Sequence, residues 1–321
     1  MQNKKFNLSL NKKINPFNKT IKVDSDKSLS IRSFLISSIS QNISYLDNVL
    51  ESDDVFATID SLKKLGAKII RVKKQKYLVY GKGLGSFRIK KNSKLNFGNS
   101  GTLARLLIGA LSTNPNIEVN ILGDHSLNKR SMKKLINLMN KFGASFLPKN
   151  KFNLPIKLTS SKFPIGIFYK AGVSAQLKSA VILAGLNSYG ETTIQELKKS
   201  RDHTENILLN NKNIIKVNNG RNRTIKIFGK KKLNSIKINI PGDPSSAAFF
   251  SAITLLNKNS FIKIKNVGLN KTRIGFYELL KKQGAKIKFN NVKKINNELC
   301  GDILVKSCNL KPLTASKTYY T

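Results

Sequence analysis

Ser61-Leu-Lys-Lys-Leu-Gly-Ala-Lys-Ile-Ile-Arg-Val72 joins the end of an amphipathic helix to a short β-branched strand through Gly66. A glycine just past the last helical turn takes the left-handed cap without a Cβ penalty, and the apolar run after it reads as a strand. The same ending returns at Leu135–Leu147, which contains Phe142-Gly-Ala-Ser-Phe146, and at Leu279–Phe289, Leu-Leu-Lys-Lys-Gln-Gly-Ala-Lys-Ile-Lys-Phe. A degraded fourth copy, Ile207–Val217, has Lys212 where the glycine belongs. Positions 66, 143, 212 and 284 are 77, 69 and 72 residues apart. A helix hairpin cannot fill a period of about 70 residues, so each unit must hold several strands and about two helices. This predicts a repeated α/β module.

The chain has 321 residues, 40% of them hydrophobic, enough for a sizeable core and for two domains. Its 58 Lys and Arg against 17 Asp and Glu give a formal charge of +41, which favours anionic partners. The lysines are scattered in pairs on amphipathic helices (Lys63 with Lys64, Lys133 with Lys134, Lys281 with Lys282), the pattern of a solvated face. There is no Trp, no aromatic ladder and no zinc-finger spacing, so specific nucleic-acid binding is not expected. Only Cys300 and Cys308 occur, and His125 and His203 stand apart from any ligand cluster, which argues against a protein metal site and for a reduced, cytoplasmic setting. Met1 to Lys22 lacks the apolar core of a signal peptide, and no run is long enough to span a bilayer. Lys76–Tyr80 followed by Gly81-Lys-Gly-Leu-Gly85 resembles a dinucleotide fingerprint but precedes an expected strand at Phe87–Lys90, so a hairpin turn is the better reading.

Five helix starts share a polar character suited to anions. Gly98-Asn-Ser-Gly-Thr-Leu-Ala-Arg105 places a small residue, a hydroxyl and a guanidinium at the head of an apolar helix, with Asn99 or Ser100 as its cap. Asp24-Ser-Asp-Lys-Ser-Leu-Ser-Ile-Arg32 puts Lys27, Ser28 and Arg32 at the first turn of another. Gly172-Val-Ser-Ala-Gln176 opens a third, Gly123 to Arg130 precedes a fourth, and Ser200-Arg-Asp-His-Thr-Glu205 opens a fifth with capping-box spacing between Asp202 and Glu205. Their recurrence predicts a cleft where helix N-termini converge on a multiply anionic small molecule. No Walker sequence, Ser-His-Asp order or metal motif competes for the chemistry.

Taken in order, Asp26-Lys27-Ser28-x-Ser30-x-Arg32, Gly98 to Arg105, Gly123-Asp-x-Ser-Leu with Arg130, Ser174-Ala-Gln-x-Lys-Ser-Ala, Ser200 to Glu205, Pro241-Gly-Asp-x-Ser-Ser-Ala-Ala-Phe-Phe250 and Asn270-x-x-Arg273 resemble the enolpyruvyl transferases, and within them the EPSP synthase family. The resemblance runs from about Thr20 to the end. It implies a two-domain α/β fold built from repeated βαβαββ-type units around a pseudo-threefold axis, with residues 23–240 as the middle domain and 1–22 plus 241–321 as a second, incomplete one. It implies transfer of the enolpyruvyl group of phosphoenolpyruvate to the 5-hydroxyl of shikimate 3-phosphate, with no metal or organic cofactor, in a monomer.

Carried over by that resemblance, Lys27 contacts both substrates and is the candidate proton carrier. Shikimate 3-phosphate falls to Lys27, Ser28, Arg32, Thr102, Ser174, Ala175, Gln176 and Ser200. Phosphoenolpyruvate falls to Lys27, Asn99, Gly101, Arg130 and Gln176. The chain departs from the family pattern at Asp24-Ser25, where Pro-Gly is usual, at Ile31 in place of His, and at Ser131, often Pro. Four unit endings are visible where the family has six, and the late Asp, Glu, Arg and Lys of the family have no counterpart before Thr321. The expectation is a C-terminally truncated copy that does not turn over. Two other readings compete. The sister UDP-N-acetylglucosamine enolpyruvyl transferase uses a reactive Cys loop that Cys300 and Cys308 do not match. A non-catalytic anion or nucleic-acid binder derived from the fold would rest on charge alone.

Overall fold

The computed structural model describes Ser9, residues 13–220 and 222–310, Pro312 and Ala315. Most of the basic stretch before Lys13, and the end at Tyr319-Tyr320-Thr321, lie outside the described residues.

Strand β1 (Asn18–Ile21) leads into α1 (Lys27–Ser38), β2 (Gln41–Asp47), α2 (Asp53–Lys64), β3 (Lys68–Lys73) and β4 (Lys76–Lys82). The second run is β5 (Lys94–Asn96), α3 (Gly101–Ser112), β6 (Glu118–Leu122), the single turn α4 (His125–Asn128), α5 (Lys133–Lys141), β7 (Ser145–Leu147) and β8 (Ile156–Thr159). The third is β9 (Phe168–Ala171), α6 (Ala175–Leu186), β10 (Glu191–Glu196), α7 (His203–Leu208), β11 (Ile215–Asn218) and β12 (Arg223–Phe228). The fourth is β13 (Lys237–Asn239), α8 (Pro244–Leu256), β14 (Phe261–Gly268), α9 (Gly275–Lys282), β15 (Lys286–Ile295) and β16 (Glu298–Lys306). The α/β repeat expected from the sequence is therefore present, each run following the order β-α-β-α-β-β, with the single turn α4 as an extra element in the second.

The helix endings that defined the period share one geometry. Gly66, Gly143 and Gly284 have φ of 88°, 89° and 88°. In each case the next residue's N–H reaches five residues back, Ala67 to Leu62, Ala144 to Met139 and Ala285 to Leu280, closing the Schellman turn. Lys212 is not left-handed; the chain instead turns through Asn211, whose N–H donates to Leu208 O and whose carbonyl accepts from Ile214. Without glycine the third run thus ends its helix by another route.

Every run has a four-stranded sheet of one topology, a parallel pair extended by an antiparallel hairpin, as in β5-β6-β8-β7 and β9-β10-β12-β11. The first and fourth runs exchange their leading strands. β13 lies parallel to β2, while β1 lies parallel to β14. The two connecting segments therefore cross side by side, with Asp26 N–H donating to Pro241 O and Asp243 N–H to Asp24 O, both near 2.9 Å. One hydrophobic core runs from Leu29 to Ile240 and a second from Ala247 to Val305.

In the larger core α3 packs on both α1 and α6. These central helices are buried on nearly all sides and carry almost no charge, whereas α2, α5 and α9 turn their lysine pairs outward. Helix α8 has the uncharged composition of a central helix, yet Phe249, Phe250, Ile253 and Leu256 are exposed. Among the described residues no helix is long and apolar enough to cross a membrane.

One local expectation fails. Residues 87–90 do not form a strand, and no hairpin follows Gly81 to Gly85. Asn114 takes over the Phe87 backbone, its Oδ1 accepting from Phe87 N–H and its Nδ2 donating to Phe87 O, while Arg88 N–H donates to Leu65 O. With those groups occupied, β4 pairs instead with β2 and with β3, the latter across the turn at Gln75.

Candidate functional site

The starts of α1, α2, α3 and α6 face a cavity of about 440 Å³ lined by Lys27, Asp54, Asn99, Gly101, Thr102, Arg105, Arg130 and Gln176. Ser100 is the cap of α3, accepting from Leu103 N–H, which leaves the Asn99 side chain free for other work. Asn99 Oδ1 accepts from Arg130 at 2.6 Å and its Nδ2 donates to Asp124, the cap of α4. Arg130 is thereby aimed into the cavity from the loop after α4. Gly101 N–H donates to Asn99 O, so the glycine contributes close approach more than a free donor. A Cβ at Gly101 would lie 2.9 Å from both Arg105 Nη1 and Arg130 Nη1.

Across the cavity Gln176 Nε2 donates to Thr102 Oγ1 at 2.9 Å, tying α6 to α3. Lys27 Nζ rests 2.6 Å from Asp54, an acid at the start of α2. Burial lowers the Arg105 pKa, and the neighbouring Arg130 lowers it further. Three cations and the heads of four helices thus surround one space with a single acid on its wall. That arrangement can hold an anion bearing more than one negative group.

Behind Lys27, Arg32 is buried and reaches across the central helices. Its Nε donates to Thr204 Oγ1 at 2.9 Å, Nη1 to Ser28 O at 3.0 Å and Nη2 to Ser179 Oγ at 3.3 Å. Burial, opposed by Asp26 and Glu205 and reinforced by Arg273 and Arg201, brings its pKa down to about 10. Burial and Arg273 also lower Arg201, the neighbour of Ser200 in sequence, while Asp26 and Asp243 raise it, so Arg201 lies within electrostatic reach of both Arg273 and Arg32. Arg273 is partnered, donating to Asp26 and Asp243, the caps of α1 and α8, both at 2.8 Å.

Of the predicted site residues, Lys27, Asn99, Gly101, Thr102, Arg130 and Gln176 line the one cavity. Ser28 and Arg32 meet through the Ser28 carbonyl, although Arg32 lies in the second turn of α1 and not the first. Ser174 caps α6 and Ala175 is its first residue; Ser174 borders a neighbouring depression of about 670 Å³ that Arg105 also lines. Ser200 lies in the loop before α7, its hydroxyl donating to Glu196. The expected capping box at Asp202 and Glu205 does not form. Asp202 makes no cap bond because Lys199, Asn206 and Asn270 occupy its carboxylate, and Glu205 is buried against Lys178 and Arg223. Asp54 escaped sequence reasoning, since Asp53-Asp54 at a helix start is an ordinary dipole partner. Arg201 sat in a recognised motif without a role. His125 and His203 join no group of three potential metal ligands among the described residues.

The family model described as EPSP synthase (3-phosphoshikimate 1-carboxyvinyltransferase) matches residues 11–316. A 3-phosphoshikimate 1-carboxyvinyltransferase from Petrotoga mobilis is 41% identical over 297 residues, 92% of this chain and 68% of the relative. One from a Sulfurihydrogenibium species is 38% identical over 304 residues, 94% of this chain and 69% of the relative. The solved EPSP synthase of Acinetobacter baumannii superposes with a TM-score of 0.84 at 32% identity, over 95% of this chain and 68% of that one.

Proposed function

The chain belongs to the EPSP synthase family, and on that premise we propose that its cavity at the helix starts receives phosphoenolpyruvate beside shikimate 3-phosphate. The family is an enzyme family of the shikimate route to aromatic amino acids. Its reaction moves the enolpyruvyl group of phosphoenolpyruvate to the 5-hydroxyl of shikimate 3-phosphate and releases phosphate.

The observation that carries the placement is the convergence of Lys27, Gly101, Arg105, Arg130 and Gln176 on one cavity. Phosphoenolpyruvate bears a carboxylate and a phosphate. Arg130, oriented by Asn99, grips one of them, and the heads of α3 and α6 face the other. Lys27 leaves Asp54 when substrate arrives and carries the proton, while Gln176 and Thr102 stand between the two ligands. Shikimate 3-phosphate lies toward Ser174, Ala175 and Ser200, its phosphate against the charge of Arg32 and Arg201, with Ser28 beside Arg32. Arg201 is thus added to the residues taken from the sequence.

In the same reading residues 23–240 are the middle domain, and 1–22 with 241–321 belong to the other; the two cores and the crossing of segments at Ser25 and Gly242 support this division. The partners are small molecules, the chain acts as a cytoplasmic monomer without specific nucleic-acid binding, and the +41 charge is a solvated face. Calorimetric titration with shikimate 3-phosphate, followed by phosphoenolpyruvate in its presence, tests the proposal. Binding that is lost in Lys27→Met and Arg130→Met supports it. Retention of DNA in low salt with no affinity for shikimate 3-phosphate refutes it.

A further inference from the structure

Beyond Lys27 at its start, each of the three central helices carries one cation among uncharged residues: Arg32 in α1, Arg105 in α3 and Lys178 in α6. The first two stand at the proposed ligand sites. Lys178 is fully buried and lines no cavity described above. Its ammonium lies 2.9 Å from Glu196 Oε1, 2.7 Å from Glu205 Oε1 and 3.4 Å from Ser200 O. Arg223 bonds the other oxygen of Glu196 and lies 3.3 Å from Glu205 Oε1. Two cations and two carboxylates balance, so the web is neutral in sum and ties α6, β10, α7 and β12 together.

Charge balance alone does not explain why three donors meet on one oxygen. Glu196 Oε1 accepts from Lys178, from Ser200 N–H at 3.1 Å and from the Ser200 hydroxyl at 2.7 Å. A serine has a single hydroxyl hydrogen, and here Glu196 holds it. To donate to a phosphate oxygen, Ser200 must turn that hydrogen away, and a buried carboxylate oxygen left short of donors is costly.

We infer that Lys178 is a positioning residue for shikimate 3-phosphate: by keeping Glu196 Oε1 bonded and holding the Ser200 carbonyl, it frees the Ser200 hydroxyl to turn to the substrate phosphate. The inference rests on the reading of Ser200 given above. Lys178 touches no substrate and acts through Glu196 and Ser200. Without it, Glu196 keeps the hydroxyl hydrogen and the loop loses one of its anchors.

The test is a double-mutant cycle on the full chain, read as shikimate 3-phosphate affinity by calorimetry. S200A and K178M are each expected to weaken binding by roughly ten- to a hundredfold, the range for a hydrogen bond to a charged group, and S200A/K178M to be no weaker than either alone. Additive losses, or unchanged affinity in K178M, overturn the inference. Because K178M leaves a buried negative charge unpaired, K178M/E205Q restores the balance and is expected to melt near the wild type while still binding weakly. Recovery of wild-type affinity in K178M/E205Q reduces Lys178 to a charge balancer and overturns the inference. Hydrogen exchange at the Ser200 amide, measured without ligand, is expected to speed up in K178M/E205Q, and unchanged protection also overturns it. A wild-type chain that binds no shikimate 3-phosphate counts against the functional reading and the inference with it, whereas wild-type binding with Ser200 exchange unchanged in K178M/E205Q counts against the role of Lys178 alone.

Discussion

Gly101 separates what the backbone requires from what the ligand requires. Its φ is not left-handed, so a side chain there meets no backbone strain, but a Cβ would lie 2.9 Å from the guanidinium ends of Arg105 and Arg130. Those ends are flexible and can move, and alanine favours the first turn of a helix more than glycine does. Gly101→Ala is therefore expected to leave the thermal midpoint within about 3 °C of the wild type while weakening phosphoenolpyruvate binding by about tenfold, the scale of one hydrogen bond to a charge. Calorimetry and a thermal melt on the same sample check it; a large stability loss with intact binding would contradict it. At this scale the cavity residues were legible because hydroxyls, cations and a small residue at a helix head have few other uses together. Asp54 was not, because its contact with Lys27 joins residues 27 positions apart on different helices.

Among the elements, the contact of α3 with α6 depends on Gly109. An added Cβ would come 2.5 Å from Ala180 O and 2.7 Å from Ala180 Cα, backbone atoms that cannot swing aside. Gly109→Ala must push the two helices apart, at a cost of about 1–3 kcal/mol that exceeds the gain of about 1 kcal/mol in helix propensity at the upper end of that range. The expected result is a thermal midpoint lower by several degrees. Gly172→Ala, where a Cβ meets nothing within 4 Å, is the control and should stay within about 0.5 kcal/mol of the wild type. The helix endings at Gly66, Gly143 and Gly284 were readable because a Schellman turn is a local interaction of a few adjacent residues. The start of α7 misled for the opposite reason: Asp202 has the residue type of a cap, but Asn270, 68 positions away, and Lys199 take its oxygens.

For the whole molecule, stability against acid follows from where the scarce carboxylates sit. Burial pushes Asp26 up, but Arg273, His203 and the Leu29 N–H more than offset it, so its pKa is lowered; Glu196 is lowered against burial by Lys178 and Ser200, and Asp202 by Lys199 and Asn270. A carboxylate with a depressed folded pKa stabilises the fold above its unfolded value and loses that contribution as pH falls through the folded value. Thermal midpoints should therefore hold steady from pH 7 to about 5 and fall below about pH 4, the ordinary carboxylate range. A main loss centred above pH 5 would show that these three groups are not the cause. The repulsion within a chain of charge +41 acts in the same direction, and added salt should soften the fall. The period of about 70, the glycine caps and the polar helix starts were determined by the sequence itself, because turns, caps and periodicity are interactions among near neighbours. Although the resemblance already groups residues 1–22 with 241–321, only the tertiary structure decided that β13 pairs with β2 and β1 with β14, since a strand edge offers the same backbone bonds to any partner. It alone also brought Lys178, Glu196, Glu205 and Arg223 onto one buried centre, where charges far apart in the chain meet because none of them can be buried without the others.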